Sequence, residues 1–406
     1  MKWAILLAIC VALVNAIPLT LPGVSLPPLT APNVPVMPPI TSNNIIPNSY
    51  IITIQAGFDI AAFKAKFDEL ASQYGAGSVK PAILSQFTVV LSVHAIIPDA
   101  FVEFFKALPG VKSVEPDKTV DSSDVQNSPV SWGLTRISER NLDLSQPYVY
   151  NSAAGEGITA YVIDTGIFLG HSDFEGRAVF GGNFVNGTKD TDTCGHGTHV
   201  AATIGGAKYG VAKKVKLVDV KVLGEGEKCG GSISGIIAGL DWVYKNATSG
   251  KAVINMSLGC DKSSVIDDAV QKLFQNNIPL IAAAGNTATT NSCTLSPAGS
   301  PNVYTVAASD KTDTVAVFSS FGECVEIFGP GVDIVSAGIT GPSAEATLSG
   351  TSMASPHVAG VAALYLSMGG INSAQELYNK LSDTATKGVI KGDLKGSPNS
   401  LVYAPQ

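Results

Sequence analysis

From about residue 132 onward, short unbroken apolar runs alternate with segments whose apolar residues follow helical spacing. The runs predict buried strands at 216–223, 252–257, 278–284 and 303–307, and the spaced segments predict helices at 232–244, 264–275 and 355–366. Buried strands that alternate with helices are typical of a parallel sheet covered by helices on both faces. We therefore predict an α/β domain over 125–406, with functional side chains at the carboxyl ends of its strands.

A different pattern occupies residues 50–117, where strands and helices follow in the order strand, helix, strand, strand, helix, strand. Strands are predicted at 50–54, 87–93 and 111–114, and helices at 59–74 and 99–108. This βαββαβ order is typical of small ferredoxin-like domains. We therefore expect a small α+β domain over 48–124, ahead of the larger one.

The first 47 residues have neither pattern. Residues 1–16 combine a charged start at Lys2, an apolar core too short to span a bilayer and a small-residue end, which together indicate a secretory signal. A retained membrane anchor is the alternative. The Pro-rich, nearly uncharged stretch 17–47 is expected to be an extended linker. The product should be secreted, or lie in a vacuole-like lumen, with no membrane partner.

Composition excludes one class of partner. The chain has 406 residues, 45% of them hydrophobic, and a net charge of −7. Nucleic-acid-binding proteins carry a basic surface that such a chain lacks, so no nucleic-acid partner is expected.

Three segments together indicate nucleophilic catalysis. Ser352 lies in Gly350-Thr-Ser-Met-Ala-Ser-Pro, just before a predicted helix, where an exposed hydroxyl meets the positive end of the helix dipole. Asp164 ends an apolar strand, and His196 stands between two glycines at the start of a helix-like segment. A serine nucleophile needs a base to take its proton and a carboxylate to orient that base. Alone, each segment has an ordinary structural interpretation; together they predict a catalytic triad.

The chain order Asp164, His196, Ser352 is the order of subtilisin. From about Trp132 to Tyr403 the sequence resembles the subtilisin-like serine peptidases, most closely the proteinase K branch. The resemblance implies a subtilisin-like parallel sheet, preceded by an inhibitory pro-domain at 48–124 that is cut away within 120–131, near Asp124. A permanent accessory domain is the alternative interpretation of 48–124. The resemblance further implies that the chain is the zymogen of a serine endopeptidase. This peptidase would form an acyl-enzyme, be monomeric and need no cofactor for catalysis.

The resemblance also assigns the substrate cleft. Asn286, which ends an apolar strand in Gly-Asn, would donate its amide to the oxyanion; an asparagine in an ordinary turn is the structural alternative. Two segments would pair with an extended peptide backbone and line its side-chain pockets, with residues Gly231, Ile233, Ser257, Leu258 and Gly259. Pairing of this kind reads backbone more than side chains, so protein and peptide substrates with a hydrophobic leaning are expected.

Five cysteines remain outside the signal segment, an odd number that leaves one thiol over. Relatives imply the bridges Cys194–Cys229 and Cys293–Cys324, which leaves Cys260 free beside the cleft.

Relatives also bind calcium through carbonyls matching Pro301 and Val303 and an acid matching Glu326, where they have aspartate. His196 and His199 stand three apart, but no third ligand accompanies them, so His199 is expected to be structural.

Three N-x-Ser/Thr sequons begin at Asn186, Asn246 and Asn255. They matter only in a eukaryotic secretory pathway, and the third falls in a predicted buried strand.

A different class of function is also open: a catalytically silent homologue that binds peptides or inhibits proteases. All four catalytic positions are filled, which argues against silence.

Overall fold

The structure is a computed structural model that describes residues 20–21, 24–25, 45–73, 79–87, 91–118, 123–127, 131–224 and 229–406. The chain divides into two compact units, Met1–Ser42 and Asn43–Gln406. In the first, β1 (Thr20–Leu21) pairs antiparallel with β2 (Val24–Ser25). The expected signal segment, and most of the expected linker, lie outside the described residues.

Residues 45–118 form the predicted α+β arrangement. Its elements are β3 (Ile45–Ile54), α1 (Ile60–Gln73), β4 (Ala82–Phe87), β5 (Ser92–Ile96), α2 (Val102–Lys106) and β6 (Val111–Lys118). The antiparallel sheet has the order β4-β5-β3-β6, which is the ferredoxin-like order. Phe67 of α1 and Phe105 of α2 pack with ring centroids 4.7 Å apart, and both are fully buried. Aromatic contacts of this kind join the two helices into one core.

One strand prediction in this region is wrong. Residues 87–93 were predicted as a single strand, whereas β4 ends at Phe87 and β5 begins at Ser92. These two residues are paired partners in the antiparallel register, so the chain reverses between them. The apolar run continues through the reversal without a glycine or proline, so its composition does not mark the turn.

A short segment precedes the large sheet. β7 (Ser123–Gln126) pairs antiparallel with β8 (Tyr148–Asn151), and α3 (Trp132–Ser138) lies between them in sequence. The stretch 120–131, where cleavage is expected, is described only at 123–127 and 131.

Within the described residues, nine strands form the large sheet in the order β10-β11-β9-β12-β14-β16-β17-β21-β20, parallel except for the last pair. The strands are β9 (Thr159–Asp164), β10 (Ala178–Asn183), β11 (Lys216–Lys221), β12 (Ala252–Met256), β14 (Leu280–Ala283), β16 (Tyr304–Ser309), β17 (Ile327–Pro330), β20 (Thr386–Lys387) and β21 (Ser400–Leu401). Outside it, β13 (Cys260–Asp261) pairs with β15 (Leu295–Ser296), and β18 (Ile334–Ala337) pairs with β19 (Glu345–Leu348). The predicted strands are present, and none of their ends differs from the prediction by more than two residues.

Helices cover both faces of this sheet, as predicted. They are α4 (His196–Gly205), α5 (Ile233–Asn246), α6 (Ser264–Gln275), α7 (Thr351–Met368) and α8 (Ala374–Thr384). Along β9, Val162 faces a core shared with α4, α7 and α8, whereas Ile163 faces a core shared with α5 and α6. Successive side chains of a strand point to opposite faces, so a wholly apolar strand packs on helices on both sides. The fold class is therefore the expected α/β one.

Helix α7 begins earlier than the sequence predicts. It starts at Thr351 rather than Ser355, so Ser352 lies inside its first turn and Pro356 is its sixth residue rather than a first-turn residue. Pro356 has no N–H to donate to the carbonyl four residues earlier, that of Ser352. That carbonyl instead accepts a hydrogen bond from Ser257 Oγ at 2.8 Å. The residue that follows β12 thus supplies the donor that the proline lacks.

Candidate active site

The carboxyl end of β9 and the N-terminus of α4 bring an acid and an imidazole together. Asp164, the last residue of β9, is fully buried, and its Oδ1 lies 2.7 Å from Nδ1 of His196, the first residue of α4. The same oxygen accepts the backbone N–H of Thr165 at 2.7 Å. The His196 side chain is 29% exposed, so its other ring nitrogen can serve a substrate.

The charges around His196 favour its protonated form. Burial by itself lowers the pKa of the imidazole, but the charge and hydrogen bond of Asp164, together with the charge of Asp192, outweigh burial and raise that pKa above 6.5. An imidazole that gains affinity for a proton when a carboxylate lies behind it is suited to act as a general base.

Asp192, which sequence reasoning missed, fixes the turn that leads into α4. Its Oδ1 accepts hydrogen bonds from Thr165 Oγ1 and from the backbone N–H groups of Cys194 and Gly195, at 2.8–2.9 Å. Its Oδ2 accepts the N–H and hydroxyl of Thr198 at 2.9 and 2.7 Å. A buried carboxylate with five donors is well satisfied, and it ties the His196 turn to the end of β9. An acid a few residues before a helix is the sequence signal that could have identified it.

The helix and the strand approach each other closely at one glycine. A Cβ on Gly197 would lie 2.2 Å from the carbonyl oxygen of Gly166. Any side chain there would push α4 away from the loop that follows Asp164, so the Asp164–His196 distance depends on this glycine.

A second pair of charged side chains contacts the loop that follows Asp164. Lys221 and Asp219 of β11 are both fully buried. The ammonium of Lys221 donates to the carbonyl of Thr165, and Asp219 Oδ2 accepts the N–H of Ile167 at 3.0 Å. Asp219 Oδ1 has no hydrogen-bond partner among the described residues. Burial raises the pKa of Asp219 to about 7, although the Ile167 N–H and Lys221 oppose the shift.

The serine side of the site is built from neutral groups. Ser352 Oγ donates to the carbonyl of Ser257 at 3.2 Å, in return for the bond from Ser257 Oγ to its own carbonyl. Below this pair, Asn255 Nδ2 donates to Ser257 Oγ at 2.9 Å, and Asn255 Oδ1 accepts from Ser355 Oγ at 2.7 Å. The hydroxyl of Ser352 thus bonds to Ser257 rather than to His196 in the described residues. Catalytic hydrogen bonds often tighten only when substrate is bound.

Hydrogen bonds from Thr351 fix the orientation of the Asn286 amide. Its Oδ1 accepts the N–H and the hydroxyl of Thr351, at 2.8 and 2.9 Å. The amide nitrogen is therefore the free end, and Asn286 and Ser352 line the same pocket. Ser352 is the second residue of α7, so its backbone N–H has no acceptor within the helix. Two N–H donors are thus available beside the Ser352 hydroxyl.

An open cleft runs along the segment Ser257–Cys260. On one side lies a cavity of about 460 Å³ that touches His196, and on the other a cavity of about 390 Å³ that contains Ser352 and Asn286. All five residues expected to bind substrate line the first cavity: Gly231, Ile233, Ser257, Leu258 and Gly259. The structure therefore brings the predicted catalytic and binding residues around one cleft.

Comparison with known proteins agrees with this geometry. Residues 155–400 match Peptidase_S8, the Subtilase family. The chain belongs to the subtilase family. As such it is a serine endopeptidase, a hydrolase of proteins that needs no cofactor for catalysis. The family and the fold class predicted from the sequence are confirmed.

Individual relatives cover most of the subtilase. It is 46% identical over 299 residues to Subtilisin-like protease 2 of Pseudogymnoascus destructans, with 73% of each chain covered. It is 39% identical over 388 residues to Subtilisin-like protease 1 of the same organism, with 94% of this chain and 95% of the relative covered. A crystal structure of a cold adapted subtilisin-like serine proteinase is 43% identical, with a TM-score of 0.63, and the match covers 68% of this chain and 98% of that one.

Among the residues that the structure describes, two disulfides are present, Cys194–Cys229 and Cys293–Cys324. The first joins the turn before His196 to a residue that lines the cleft. Cys260 is unpaired, partly buried and lines both cavities. Burial, and then the charges of Asp261 and Asp267, raise the pKa of its thiol.

The residues expected to hold calcium fit that ion poorly. Ca²⁺ takes six to eight oxygen ligands from carboxylates, carbonyls and water. Beside Pro301 and Val303 the expected set offers one carboxylate, Glu326, and its Oε2 already accepts the N–H of Thr305 at 2.7 Å. Within the described residues, no three His, Cys, Asp or Glu side chains are grouped to hold a metal. The expected residues therefore do not by themselves provide a calcium site.

Two of the other buried histidines bond to backbone carbonyls. His199 Nε2 bonds to the carbonyl of Ile334 and His357 Nδ1 to that of Met353, at 2.9 and 2.8 Å. Burial lowers the pKa of each to about 4, so both are neutral at physiological pH.

In the described part of the subtilase, no helix is both long and apolar enough to cross a membrane.

Proposed function

We propose that this subtilase is a secreted endopeptidase, made as a zymogen, that uses Asp164, His196 and Ser352 as its triad. The observation that carries the proposal is the Asp164–His196 bond at a cleft that also contains Ser352 at the start of α7. The proposed fourth member is Asn286, whose amide nitrogen is kept free by the two bonds from Thr351 to its oxygen.

In the proposed mechanism, the Ser352 hydroxyl rotates from the Ser257 carbonyl toward Nε2 of His196. His196 takes the hydroxyl proton while Ser352 Oγ forms a bond to the substrate carbonyl carbon. Asp164 keeps the proton on Nδ1 and stabilises the imidazolium. The negative oxygen of the tetrahedral intermediate accepts hydrogen bonds from the Asn286 amide and the Ser352 backbone N–H.

Collapse of this intermediate breaks the carbon–nitrogen bond. His196 gives its proton to the leaving amine, and an acyl-enzyme on Ser352 remains. A water molecule, deprotonated by His196, then attacks the ester and releases the acid. In each half of the cycle His196 takes up one proton and gives one away: to the leaving amine in acylation, and to Ser352 Oγ in deacylation. The free enzyme is thereby regenerated and no cofactor is consumed.

The cleft supports a broad, hydrophobic-leaning specificity. Gly231 pairs with Leu223 at an isolated bridge, so this rim presents backbone groups to an extended peptide. Ile233 and Leu258 make the cavity beside it apolar. Substrates are thus selected mainly by an extended backbone and an apolar side chain.

We also propose how the zymogen is divided. A signal segment at 1–16 directs export to the extracellular space or a vacuole-like lumen, and a Pro-rich linker occupies 17–47. Residues 48–124 act as an intramolecular inhibitor, and 125–406 form the monomeric peptidase. The ferredoxin-like sheet of residues 45–118 supports this division, because it has its own core around Phe67 and Phe105.

The test uses the secreted full-length product with a fluorogenic hydrophobic peptide, with and without phenylmethylsulfonyl fluoride. Ser352→Ala should abolish hydrolysis and retain the uncut N-terminal segment. Ser349→Ala is a matched control, since it removes an exposed hydroxyl three residues upstream that bonds to Asp333. Wild-type protein that has lost residues 48–124, yet neither cleaves the peptide nor takes up a fluorophosphonate, would be a peptide-binding homologue instead.

A further inference from the structure

Three sequons in one chain occupy three different structural settings. Asn-x-Ser/Thr is the acceptor sequence for N-linked oligosaccharide, which is bulky and must lie outside the packed protein. The oligosaccharide is added to the unfolded chain, so only positions that remain at the surface after folding can keep it. Folding therefore discriminates among Asn186, Asn246 and Asn255.

Asn255 is excluded by burial. It lies within β12, is 1% exposed, and both ends of its amide are hydrogen bonded beneath the catalytic serine. An oligosaccharide on this nitrogen would remove the bond to Ser257 and prevent β12 from packing.

Asn186 has the opposite setting. It is exposed at the tip of a turn, and its side chain makes no hydrogen bond within the part of the chain that the structure describes. Gly187 follows it with φ of 78°, a conformation that suits glycine, and a Cβ there would meet nothing within 4 Å. The Asn186 side chain is therefore accessible from solvent.

Side-chain hydrogen bonds brace the turn that carries Asn186. Asn183 Nδ2 donates to the carbonyl and hydroxyl of Thr188, both at 3.2 Å, and Asn183 Oδ1 accepts the N–H of Val185 at 2.9 Å. Thr188 Oγ1 also donates to the carbonyl of Val185 at 2.8 Å. These bonds fix the place of the Asn186 backbone.

That place is the rim of the substrate cleft. A Cβ on Gly224 would lie 3.3 Å from Val185 Cγ1, so the base of the turn packs on Gly224. Gly224 donates to the carbonyl of Gly230 at 2.8 Å, next to the bridge between Leu223 and Gly231. The last three of these residues line the cleft. Asn186 follows Val185 directly, so the Cα atoms of these two residues are about 4 Å apart.

Asn246 provides an internal comparison. It is exposed, but it is the last residue of α5 and its amide donates to the carbonyl of Trp242 at 2.8 Å. The helix begins at Ile233 beside the cleft and contains 14 residues, which places Asn246 about 20 Å away along the axis. An oligosaccharide at Asn246 would lie far from the substrate.

We propose that Asn186 carries an N-linked oligosaccharide at the rim of the cleft. This oligosaccharide hinders the approach of bulky protein substrates but not of short peptides. In its formation, Asn186 Nδ2 bonds to C1 of a sugar delivered by a polyprenyl-diphosphate-linked oligosaccharide. The bond from C1 to the diphosphate oxygen breaks, the diphosphate leaves with the bonding electrons, and the amide loses one proton. The screening effect rests on the proposed endopeptidase function; the attachment itself rests only on secretion through a eukaryotic pathway.

The attachment is tested on full-length wild-type, N186Q and N246Q proteins secreted from a yeast host. Peptide mapping by mass spectrometry, before and after treatment with peptide N-glycosidase, should find sugar on Asn186 and none on Asn255. N186Q should lose one oligosaccharide mass. An unmodified Asn186 peptide in the wild type would overturn the proposal, and sugar on Asn255 would overturn the burial argument.

The screening effect is measured as kcat/KM for serum albumin divided by kcat/KM for a short fluorogenic peptide. N186Q should raise this ratio several-fold by easing the approach of the protein substrate, with peptide hydrolysis unchanged. N246Q, the matched control, should leave both values unchanged. An equal ratio in wild type and N186Q would overturn the screening role. Protein that cleaves neither substrate would contradict the endopeptidase function, while the mass map would still decide the attachment.

Discussion

The two halves of the candidate active site are held in place by different chemistry. Buried charges surround His196, whereas neutral amides and hydroxyls surround Ser352. The charged set is Asp164, Asp192, Asp219 and Lys221, and the neutral set is Asn286, Ser257, Asn255 and Ser355. Charged hydrogen bonds are stronger and depend on pH; neutral ones set geometry with little pH dependence. The half proposed to move protons is therefore the half that charged groups support.

The largest effect should come from breaking the charged half at its centre. Asp164→Asn keeps the shape but offers an amide where His196 Nδ1 needs an acceptor, so the imidazole takes the wrong tautomer. We expect kcat to fall about 10⁴-fold with KM nearly unchanged. Single-turnover kinetics on the peptide substrate would measure this, and a loss below tenfold would contradict the role of Asp164.

The neutral half should give a smaller loss. Asn286→Asp retains an oxygen for Thr351 but replaces the amide donor, so oxyanion stabilisation is lost while the start of α7 is kept. We expect kcat to fall by about 10²–10³. Asn286→Ala, which loses the bonds to Thr351 as well, should show the same kcat loss together with a lower Tm. An unchanged kcat in Asn286→Asp would exclude this residue from the oxyanion site.

Stability should show the pH dependence of the charged half. Asp219 has an ordinary pKa of 3.8 and a folded pKa of about 7, so the folded protein binds the proton more tightly than the unfolded chain. Its carboxyl therefore lowers stability progressively as pH rises from about 4 to 7, and the penalty is complete above that range. Asp219→Asn keeps an acceptor for the Ile167 N–H and removes the buried charge.

We accordingly expect Asp219→Asn to raise Tm at pH 8.5 and to change it little at pH 4. Melting curves of the full chain carrying Ser352→Ala, which cannot digest itself, would measure this. An equal change in Tm at both pH values would show that Asp219 does not titrate between them.

A still smaller effect is expected on the pH profile of catalysis. The charge of Asp192 is one of the groups that raise the pKa of His196, so Asp192→Asn should move the acid limb of kcat/KM to lower pH. The neutral half offers the matched control, because Ser355→Ala removes a bond to Asn255 and no charge. A shift of the same size in Ser355→Ala would mean that packing, rather than charge, sets the limb.

The smallest effect concerns Cys260, which lies between the two cavities. Its raised thiol pKa makes reaction slow at neutral pH, and the modification site is beside the cleft rather than at Ser352. A bulky thiol reagent should therefore reduce peptide hydrolysis only slowly and in part, and Cys260→Ser should be insensitive. Full activity in stoichiometrically modified enzyme would contradict this placement.

Much of the fold followed from pattern alone. Strands such as β12 and β14 are apolar on both faces, and a parallel sheet between helices is the arrangement that buries both. The reversal between Phe87 and Ser92 and the early start of α7 were missed because neither is marked locally. The first lacks a turn residue, and the second depends on a hydroxyl from Ser257, far away in sequence.

The sequence by itself determined the family, the α/β architecture and the identities of Asp164, His196, Ser352 and Asn286 as candidates. These follow from short motifs and from the period of the apolar residues, both of which are local. Only the tertiary structure decided which groups support them. Asp192, Asp219 and Lys221 are ordinary charged residues in sequence, and they become important because the fold removes them from water beside one loop. The same reasoning separates Asn186 from Asn255, since identical acceptor sequences differ only in whether folding leaves them at the surface.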